Sequence, residues 1–487
     1  MNLHDCPRIV RRHGFAMMAA VLLALPARHG EASICHEAAT PASGIAGDAI
    51  RRCPPSTALP QPGDPADAAL DVDIDIDVDP VTEAELRSAL YAATEAAVDV
   101  NPTVQRMYAE YQAAQSDVDQ VKGSRWPQLQ LTGQTRTAQF GANAGSAYDA
   151  GNSVGVNLRT MLFDWGRTNK LIGSRRESAV ATQEHYVAQI ENSAYQVAST
   201  LVELGKQRNM TVLSQRFVDR MSRLVAMLES IVAVDRGRGS ELTQAKARLL
   251  QAMASRDSAQ SKFRDAELNL RKLVGERPVP VPVAAAWPLR PQPLAALMSS
   301  LDENPILLQA RAEANAADLN RDAVKASTKP QLDWVVSANT GRDALGRRMP
   351  WQTMLTLTWS AFNGGASTAM REAASYRAIA SHRQVDQTRL DLEYQLRAAD
   401  QNARTYAAQA EQYRALSLES DRVRQAFYDQ WYHLGKRSLL DVLIAENDYY
   451  NNRVNEIAYR FEGYAATLQG YASAGVLMRW LRDGVVA

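Results

Sequence analysis

Four short stretches of the chain alternate between apolar and polar residues, and they fall into two matched pairs. Leu129 and Leu131 alternate with Gln128, Gln130 and Thr132; about two hundred residues later Leu332, Trp334, Val336 and Ala338 alternate with Asp333, Ser337 and Asn339. A Gly/Asn/Asp-rich turn follows each, and then a return stretch. In the first, Val154, Val156, Leu158 and Leu162 alternate with Gly155, Asn157 and Arg159. In the second, Trp351, Thr353, Leu355, Leu357 and Trp359 alternate with Gln352, Thr356, Thr358 and Ser360. A period of two gives a strand one apolar and one polar face. The pattern predicts strands over about 128–140, 152–163, 331–341 and 351–361.

Helical sequence surrounds each pair in the same order. Asn101-Pro102 and Asn304-Pro305 each open a helix, with Asn as the cap and Pro at the first helical position, where its missing N–H costs nothing. Each helix must stop 25 residues after its first proline, in SRWPQLQL at Pro127 and in STKPQLDW at Pro330. Proline cannot continue the ladder and disfavours helix in the residue before it. The second of these helices is expected over 304–328.

After the return stretches come LFDWG (Leu162–Gly166) and AFNGG (Ala361–Gly365), and then long helices over about 167–234 and 366–434. At 1.5 Å per residue each is about 100 Å long. The turns GRGSEL and GKRSLL follow, where glycine ends one helix and Ser240 or Ser438 is expected to cap the next. Ser438 and Asp441 also have the spacing of a capping box. Return helices over 240–274 and 438–473 carry a heptad seam: Leu242, Ala245, Leu249, Ala252, Ala259, Phe263, Ala266, Leu270 and Leu273 in the first. Adding 198 to these positions lands on the seam of the second, which includes Leu440, Leu443, Tyr450, Ile457, Phe461, Tyr464, Leu468 and Tyr471. One unit is therefore written twice, over 81–275 and 301–475, with a Pro-rich crossover over 276–300 and a C-terminal tail over 476–487.

Composition narrows the class. Basic and acidic residues balance at 54 each, which leaves no excess to neutralise phosphates and argues against a nucleic-acid partner. Arg8, Arg11 and Arg12 precede the short apolar run Gly14–Leu25, so residues 1–32 read as a secretory signal peptide. No later run approaches the length of a membrane-spanning helix. Residues 33–80 are rich in Pro, Ala and Asp and end in the acidic alternation Asp71–Asp79. That stretch lacks the glycine and distal glutamate of a hand-type calcium loop and is read as a solvated linker. Cys35 and Cys53 could pair in an oxidising compartment, while the scattered histidines point to no metal site and no cofactor. The sequence holds no nucleophile elbow, phosphate loop or paired metal ligands, which argues against an enzyme.

Strands with one apolar face and open edges cannot sit alone in lipid, where every backbone N–H and C=O must be paired. The choice is a water-soluble four-stranded sheet or a barrel shared between chains. Trp126, Trp165, Trp334, Trp351 and Trp359, five of the eight tryptophans, lie in or beside the strands, as in the aromatic girdles of outer-membrane barrels. With an exported chain lacking a spanning helix, this favours the shared barrel, with Trp126 and Trp334 near its inner water boundary.

The order of two helices, two strands, a very long helix and a return helix, given twice, resembles the TolC-type outer-membrane channel family of Gram-negative bacteria. The resemblance covers residues 81–475 and is most specific in YHLGKRSLLDVLIAENDYYNN, Tyr432–Asn452. It implies a mostly α chain whose four β-strands join a trimeric twelve-stranded outer-membrane β-barrel, continued by a periplasmic α-barrel closed at its tip. It also implies outer-membrane lipid, a periplasmic adaptor (membrane fusion) protein and an inner-membrane ABC or proton-driven transporter as partners. The adaptor is expected to dock on the turns Gly237, Arg238, Gly239, Ser240, Glu241 and Leu242, and Gly435, Lys436, Arg437, Ser438, Leu439 and Leu440. The periplasmic gate carries over to Tyr432, Arg437 and Asp441. Two departures stand out: Ile444 occupies the place of a second gate carboxylate, and the first turn offers Glu241 and Thr243 where an aspartate is expected. Those departures, and the poor match of Ala32-Ser33-Ile34 before Cys35 to a lipid-attachment box, tilt the expected cargo towards protein, by type I secretion, over small-molecule efflux. A non-channel periplasmic coiled-coil adaptor is the rival of another class.

Overall fold

Helix propensity, caps and proline stops divide the chain in the order the sequence sets out. The computed structural model describes residues 81–135, 153–280, 284–340 and 350–484, all within one unit spanning Pro65–Ala487. The expected signal peptide, the acidic linker and most of each turn between paired strands lie outside the described residues. The first repeat comprises α1 (Glu83–Val100), α2 (Pro102–Gly123), β1 (Gln128–Gln134), β2 (Ser153–Phe163), α3 (Arg167–Val234) and α4 (Gly239–Val274). A short helix, α5 (Leu294–Ser299), forms within the Pro-rich crossover, and the second repeat comprises α6 (Pro305–Ser327), β3 (Gln331–Asn339), β4 (Gln352–Thr358), α7 (Ala366–Tyr432) and α8 (Leu439–Ala474). A last helix, α9 (Leu477–Asp483), follows.

The Asn-Pro openings act as caps. Asn101 Oδ1 accepts the Thr103 N–H and Asn304 Oδ1 accepts the Ile306 N–H, both at 2.9 Å. The glycine phrases have a backbone reason. Gly166 (φ 75°) and Gly365 (φ 87°) turn the chain through the left-handed region into α3 and α7, where a Cβ would be strained. Trp165 shares that conformation at φ 58°. It is held across the repeats, its indole Nε1–H donating to the Pro330 carbonyl at 2.7 Å.

The four strands form one antiparallel sheet in chain order, so β2 and β3 join the two repeats while β1 and β4 are edges. Register puts Leu129 opposite Leu158, Leu158 opposite Val336, and Trp334 opposite Leu355. All these apolar residues share one face. The opposite face collects Gln130, Asn157, Arg159, Asp333, Ser337 and Thr356, and carries an Arg159–Asp333 ion pair. One expectation is corrected here. A bulge between Met161 and Phe163 shifts the register by one residue, so Phe163 rather than Leu162 stands opposite Leu332 and continues the apolar face.

The heptad seams bury their shared positions: Ala245 with Leu443, Ala259 with Ile457, and Leu270 with Leu468. At the far end the match loosens, since Leu440 is 48% exposed. The main core lies midway along the helices, where α1, α3, α8, α9 and the crossover meet around Leu201, Trp287, Phe461, Tyr471 and Trp480. Small residues admit the large ones: a Cβ at Gly205 would lie 2.9 Å from Phe461 Cε1 and 3.1 Å from Trp287 Cζ2.

The segment expected as a tail, 476–487, is corrected too. Leu477, Trp480 and Leu481 of α9 are buried in this core. Its helix is too short to read from periodicity. Glu191 of α3 accepts the Met478 N–H at 3.2 Å with both carboxylate oxygens. Burial pushes this carboxyl up to about 7, against the backbone N–H bonds of Met478 and Leu477 and the charge of Arg479, which pull it down. A raised carboxyl pKa means the docked state holds its proton more tightly than the free segment, whose value is near 4.5. Docking is therefore strongest in acid and weakens as pH rises from about 4.5 to about 7, with no further change above. Protection of the α9 amides relative to their intrinsic exchange rate at each pH is expected to fall over that window, and Glu191→Gln to flatten this profile.

Candidate functional site

Two regions collect the residues singled out by the sequence: the sheet and the opposite ends of the long helices. On the sheet, Leu129, Leu131, Leu355 and Leu357 of the apolar face are each about two-thirds exposed (65–72%). Large aliphatic groups in such a contiguous exposed band mark a surface that meets lipid or another chain. Trp126, Trp165, Trp334, Trp351 and Trp359 are all exposed. Trp334 lies within β3, its Nε1–H donating to Thr353 Oγ1 at 2.7 Å, and the other four flank strand ends. Trp165 packs edge-on against Phe163 at 4.9 Å and takes the Lys329 ammonium over its face at 4.7 Å. Among the described residues no helix is long and apolar enough to cross a membrane.

At the other end, the turn between α3 and α4 and the turn between α7 and α8 come together. Phe217, Met221, Leu224 and Leu228 of α3 pack with Ala245 of α4, Trp431 of α7, and Leu439, Val442 and Leu443 of α8. Arg238 of the first turn sits over the Trp431 ring at 5.5 Å, so a cation–π contact ties the first candidate docking turn to the end of α7, just before the second.

The turns are built differently. In the second, Ser438 Oγ accepts the Asp441 N–H at 3.3 Å, and Asp441 Oδ2 accepts the Ser438 N–H at 3.2 Å, completing the capping box. Gly435 (φ 60°) reverses the chain, and the Lys436 N–H closes back onto the Gln430 carbonyl at 2.9 Å. In the first, the expected Ser240 cap is not formed: α4 begins at Gly239, and Ser240 lies inside it. α4 has no side-chain cap, and Asp235 instead caps the short 3-10 turn before it, its Oδ1 accepting the Gly237 N–H at 3.0 Å. Sequence reasoning chose the serine nearest the glycines, but the earlier aspartate reaches an N–H first. Arg238 pairs with Glu241 at 2.8 Å, and Thr243 Oγ1 donates to the Gly239 carbonyl, so both residues of the first-turn departure are engaged locally, while Ile444 is exposed.

Tyr432, Arg437 and Asp441 lie at the second turn without a hydrogen bond or ion pair between any two of them among the described residues. Tyr432 stacks on Tyr428 at 5.7 Å. The Arg437 guanidinium lies 4.1 Å over Phe427, and its Nε donates to Gln430 Oε1 at 3.1 Å. Asp441 is occupied as a cap. Sequence reasoning missed the aromatic set Phe427, Tyr428 and Trp431 beside this turn; its signal was the cluster AFYDQWYH ahead of Gly435.

A sheet with one exposed apolar face, carried on paired helices about 100 Å long, is the architecture of a membrane channel extended far into water. Residues 93–276 and 296–475, one segment per repeat, match the outer membrane efflux protein family, and the chain belongs to that family. It is thus an outer-membrane efflux channel with a large periplasmic part, a transport protein rather than an enzyme. The outer membrane efflux protein BepC of Brucella suis biovar 1 (strain 1330) is 24% identical over 326 residues, 66% of this chain and 71% of that one. Among solved structures, CusC matches with a TM-score of 0.71 at 17% identity, over 79% of this chain and 91% of that one. The Campylobacter jejuni outer membrane channel CmeC matches with a TM-score of 0.70 at 15% identity, over 87% and 94% respectively. At these identities the solved structures share the fold.

Proposed function

We propose that three copies of this chain pool their sheets into one barrel that carries substrate out of the cell. One observation supports this reading above the others: β1 and β4 are edges, and the sheet they bound exposes a continuous apolar face. A four-stranded open sheet cannot reside in lipid with unpaired edges. Three copies of a four-stranded sheet make twelve strands, enough to close a water-filled barrel around the polar face with Arg159 and Asp333 inside. The helices then continue into the periplasm, after export directed by residues 1–32.

In this reading the joined turns at the helix tips meet a periplasmic adaptor, with Arg238 and Lys436 offering charge and Leu440 an exposed apolar contact (48%). Tyr432, Arg437 and Asp441 line the closed mouth. Their local partners leave Arg437 and Tyr432 able to reach a neighbouring copy, while Asp441 first serves its own helix. An inner-membrane transporter, ABC or proton-driven, supplies the energy.

For cargo, small-molecule efflux now stands ahead of type I protein secretion, because the chain's family and its relative BepC both carry the name efflux. The secretion reading rests on the altered gate positions Ile444, Glu241 and Thr243 and on the poor match of the residues before Cys35 to a lipid-attachment box. Co-expression with its adaptor and transporter, in a host lacking its own outer-membrane channel, is expected to raise resistance to dyes and detergents severalfold. Unchanged resistance, with a co-expressed glycine-rich repeat protein appearing in the medium, would move the assignment to secretion.

A further inference from the structure

A cavity of about 470 Å³ lies between the Pro-rich crossover and the α7–α8 hairpin, beside the main core. Ala285 and Pro291 of the crossover form one side of it, and Ala403, Ala407 and Ala410 of α7 form another. Three guanidiniums line it, those of Arg414 on α7 and of Arg453 and Arg460 on α8, against two carboxylates, Glu411 and Glu456. Glu456 is 1% exposed and already held: Arg453 Nη1 donates to its Oε2 at 2.6 Å, and Arg460 Nη2 donates to its Oε1. Arg460 Nη1 also donates to the Ala285 carbonyl at 3.3 Å, which fixes that guanidinium against the crossover. Arg414 pairs loosely with the exposed Glu411, at 3.7 Å. A groove with a wall of alanines and a wall of guanidiniums suits a ligand that is apolar on one side and anionic on the other.

The chain carries such a sequence next to the cavity. Asp71–Asp79, DVDIDIDVD, lies outside the described residues and ends two residues before Val81, which packs on the main core. The charge of Glu83 reaches the Tyr471 hydroxyl, and that hydroxyl donates to the Arg290 carbonyl at 2.8 Å, next to Pro291 of the cavity wall. The chain therefore enters at the crossover end of the groove. On α8 the lining runs from Thr467 to Arg453, about 21 Å at 1.5 Å per residue. From Asp79 to Asp71 an extended chain covers about 26 Å at 3.3 Å per residue, so the lengths match. Its period of two sets five carboxylates on one side and Val72, Ile74, Ile76 and Val78 on the other.

We infer that this groove is a binding site for an acidic, extended peptide, and that its occupant is the chain's own Asp71–Asp79. The aspartates meet Arg414, Arg453 and Arg460, and the valines and isoleucines cover the alanines of α7. Five carboxylates on one side repel one another in water, and the guanidiniums of the groove relieve that repulsion. Docked in this way, the segment ties the crossover to the α7–α8 hairpin on either side of the cavity.

Disulfide trapping in the full-length protein tests the assignment. Cys6→Ser, Cys35→Ser and Cys53→Ser remove the native thiols, and Ile76→Cys with Ala407→Cys supplies the test pair. A Cβ at Gly463 would lie 3.7 Å from the Ala407 nitrogen, and Gly463 is about 12 Å along α8 from Tyr471. Ile76 is five residues, about 16 Å of extended chain, from Val81, so the two cysteines can meet. Ala407 and Gln387 are both exposed, so neither change disturbs the core. Ile76→Cys with Gln387→Cys, about 30 Å along α7 from Ala407, is the control. Mild oxidation is expected to join 76 to 407 within one chain much faster than 76 to 387. Adding Asp71→Asn, Asp73→Asn, Asp75→Asn, Asp77→Asn and Asp79→Asn to the test pair is expected to slow the trapping about tenfold, the scale of two or three part-exposed ion pairs. No bond at 407, or equal trapping at 407 and 387, would overturn the inference. A bond between two chains would give the groove to a neighbouring copy's segment and overturn the assignment to the chain's own. Trapping that the asparagines leave unchanged would overturn recognition by charge.

Discussion

Arginine at Leu131 or Leu355 is expected to remove the chain from the outer membrane, whereas arginine at Gln130 or Ser337 leaves it there. The four positions lie on the same sheet, and only the face differs. Leu131 stands opposite Val156 and Leu355 opposite Trp334 on the apolar face, while Gln130 and Ser337 both stand opposite Asn157 on the other. A guanidinium facing lipid near the bilayer midplane costs about 2–4 kcal/mol per chain. A guanidinium on the polar face meets water. Fractionation of cells producing each variant reads the difference directly. A water-soluble sheet would tolerate all four substitutions alike.

The second large effect is in the periplasmic core. Phe461 is 1% exposed and meets Trp287 edge-on at 5.8 Å and Tyr464 at 5.4 Å, over a helix surface that Gly205 keeps flat. Phe461→Ala is expected to cost about 3–5 kcal/mol through lost burial and the cavity left behind. Gly205→Ala pushes a methyl group against the same ring and is expected to cost about 1–3 kcal/mol. The two changes share one space, so the double variant should lose less than the sum, because removing the ring makes room for the methyl. Denaturant unfolding of the four proteins checks this. Strict additivity would show that Gly205 and Phe461 do not constrain each other.

Much of this architecture is legible in the chain because its strongest signals are local and repeated. A proline ends a helix wherever it falls, an Asn-Pro pair starts one, and a period of two fixes which face of a strand is apolar; each of these is written twice. What the sequence hides is set by distant partners or by a single residue of register. The bulge after Met161 moves the apolar role from Leu162 to Phe163, and nothing in the alternation itself marks the slip. The choice of Asp235 over Ser240 depends on whether the chain makes a 3-10 turn before α4. Arg220, Arg424 and Glu446 meet in one buried cluster from three helices, and on each of them a charged residue reads as part of a solvated face. Helix α9 is seven residues long, too short for two turns of pattern, and only Trp480 hints that it is buried. The candidate gate residues came through the resemblance and the Ser438–Asp441 pairing from its spacing, but Phe427 and Gln430, the partners of Arg437, became visible only in the folded turn.

In the proposed assembly the four strands of one chain are a fraction of a barrel closed by other copies. It is tested most directly by the electrophoretic mobility of the protein in isolated outer membranes, with and without boiling. A detergent-resistant species near three times the 53.5 kDa chain, collapsing to the monomer on heating, is the expected result. A chain that runs as a monomer without boiling and fractionates with soluble periplasmic proteins would contradict it.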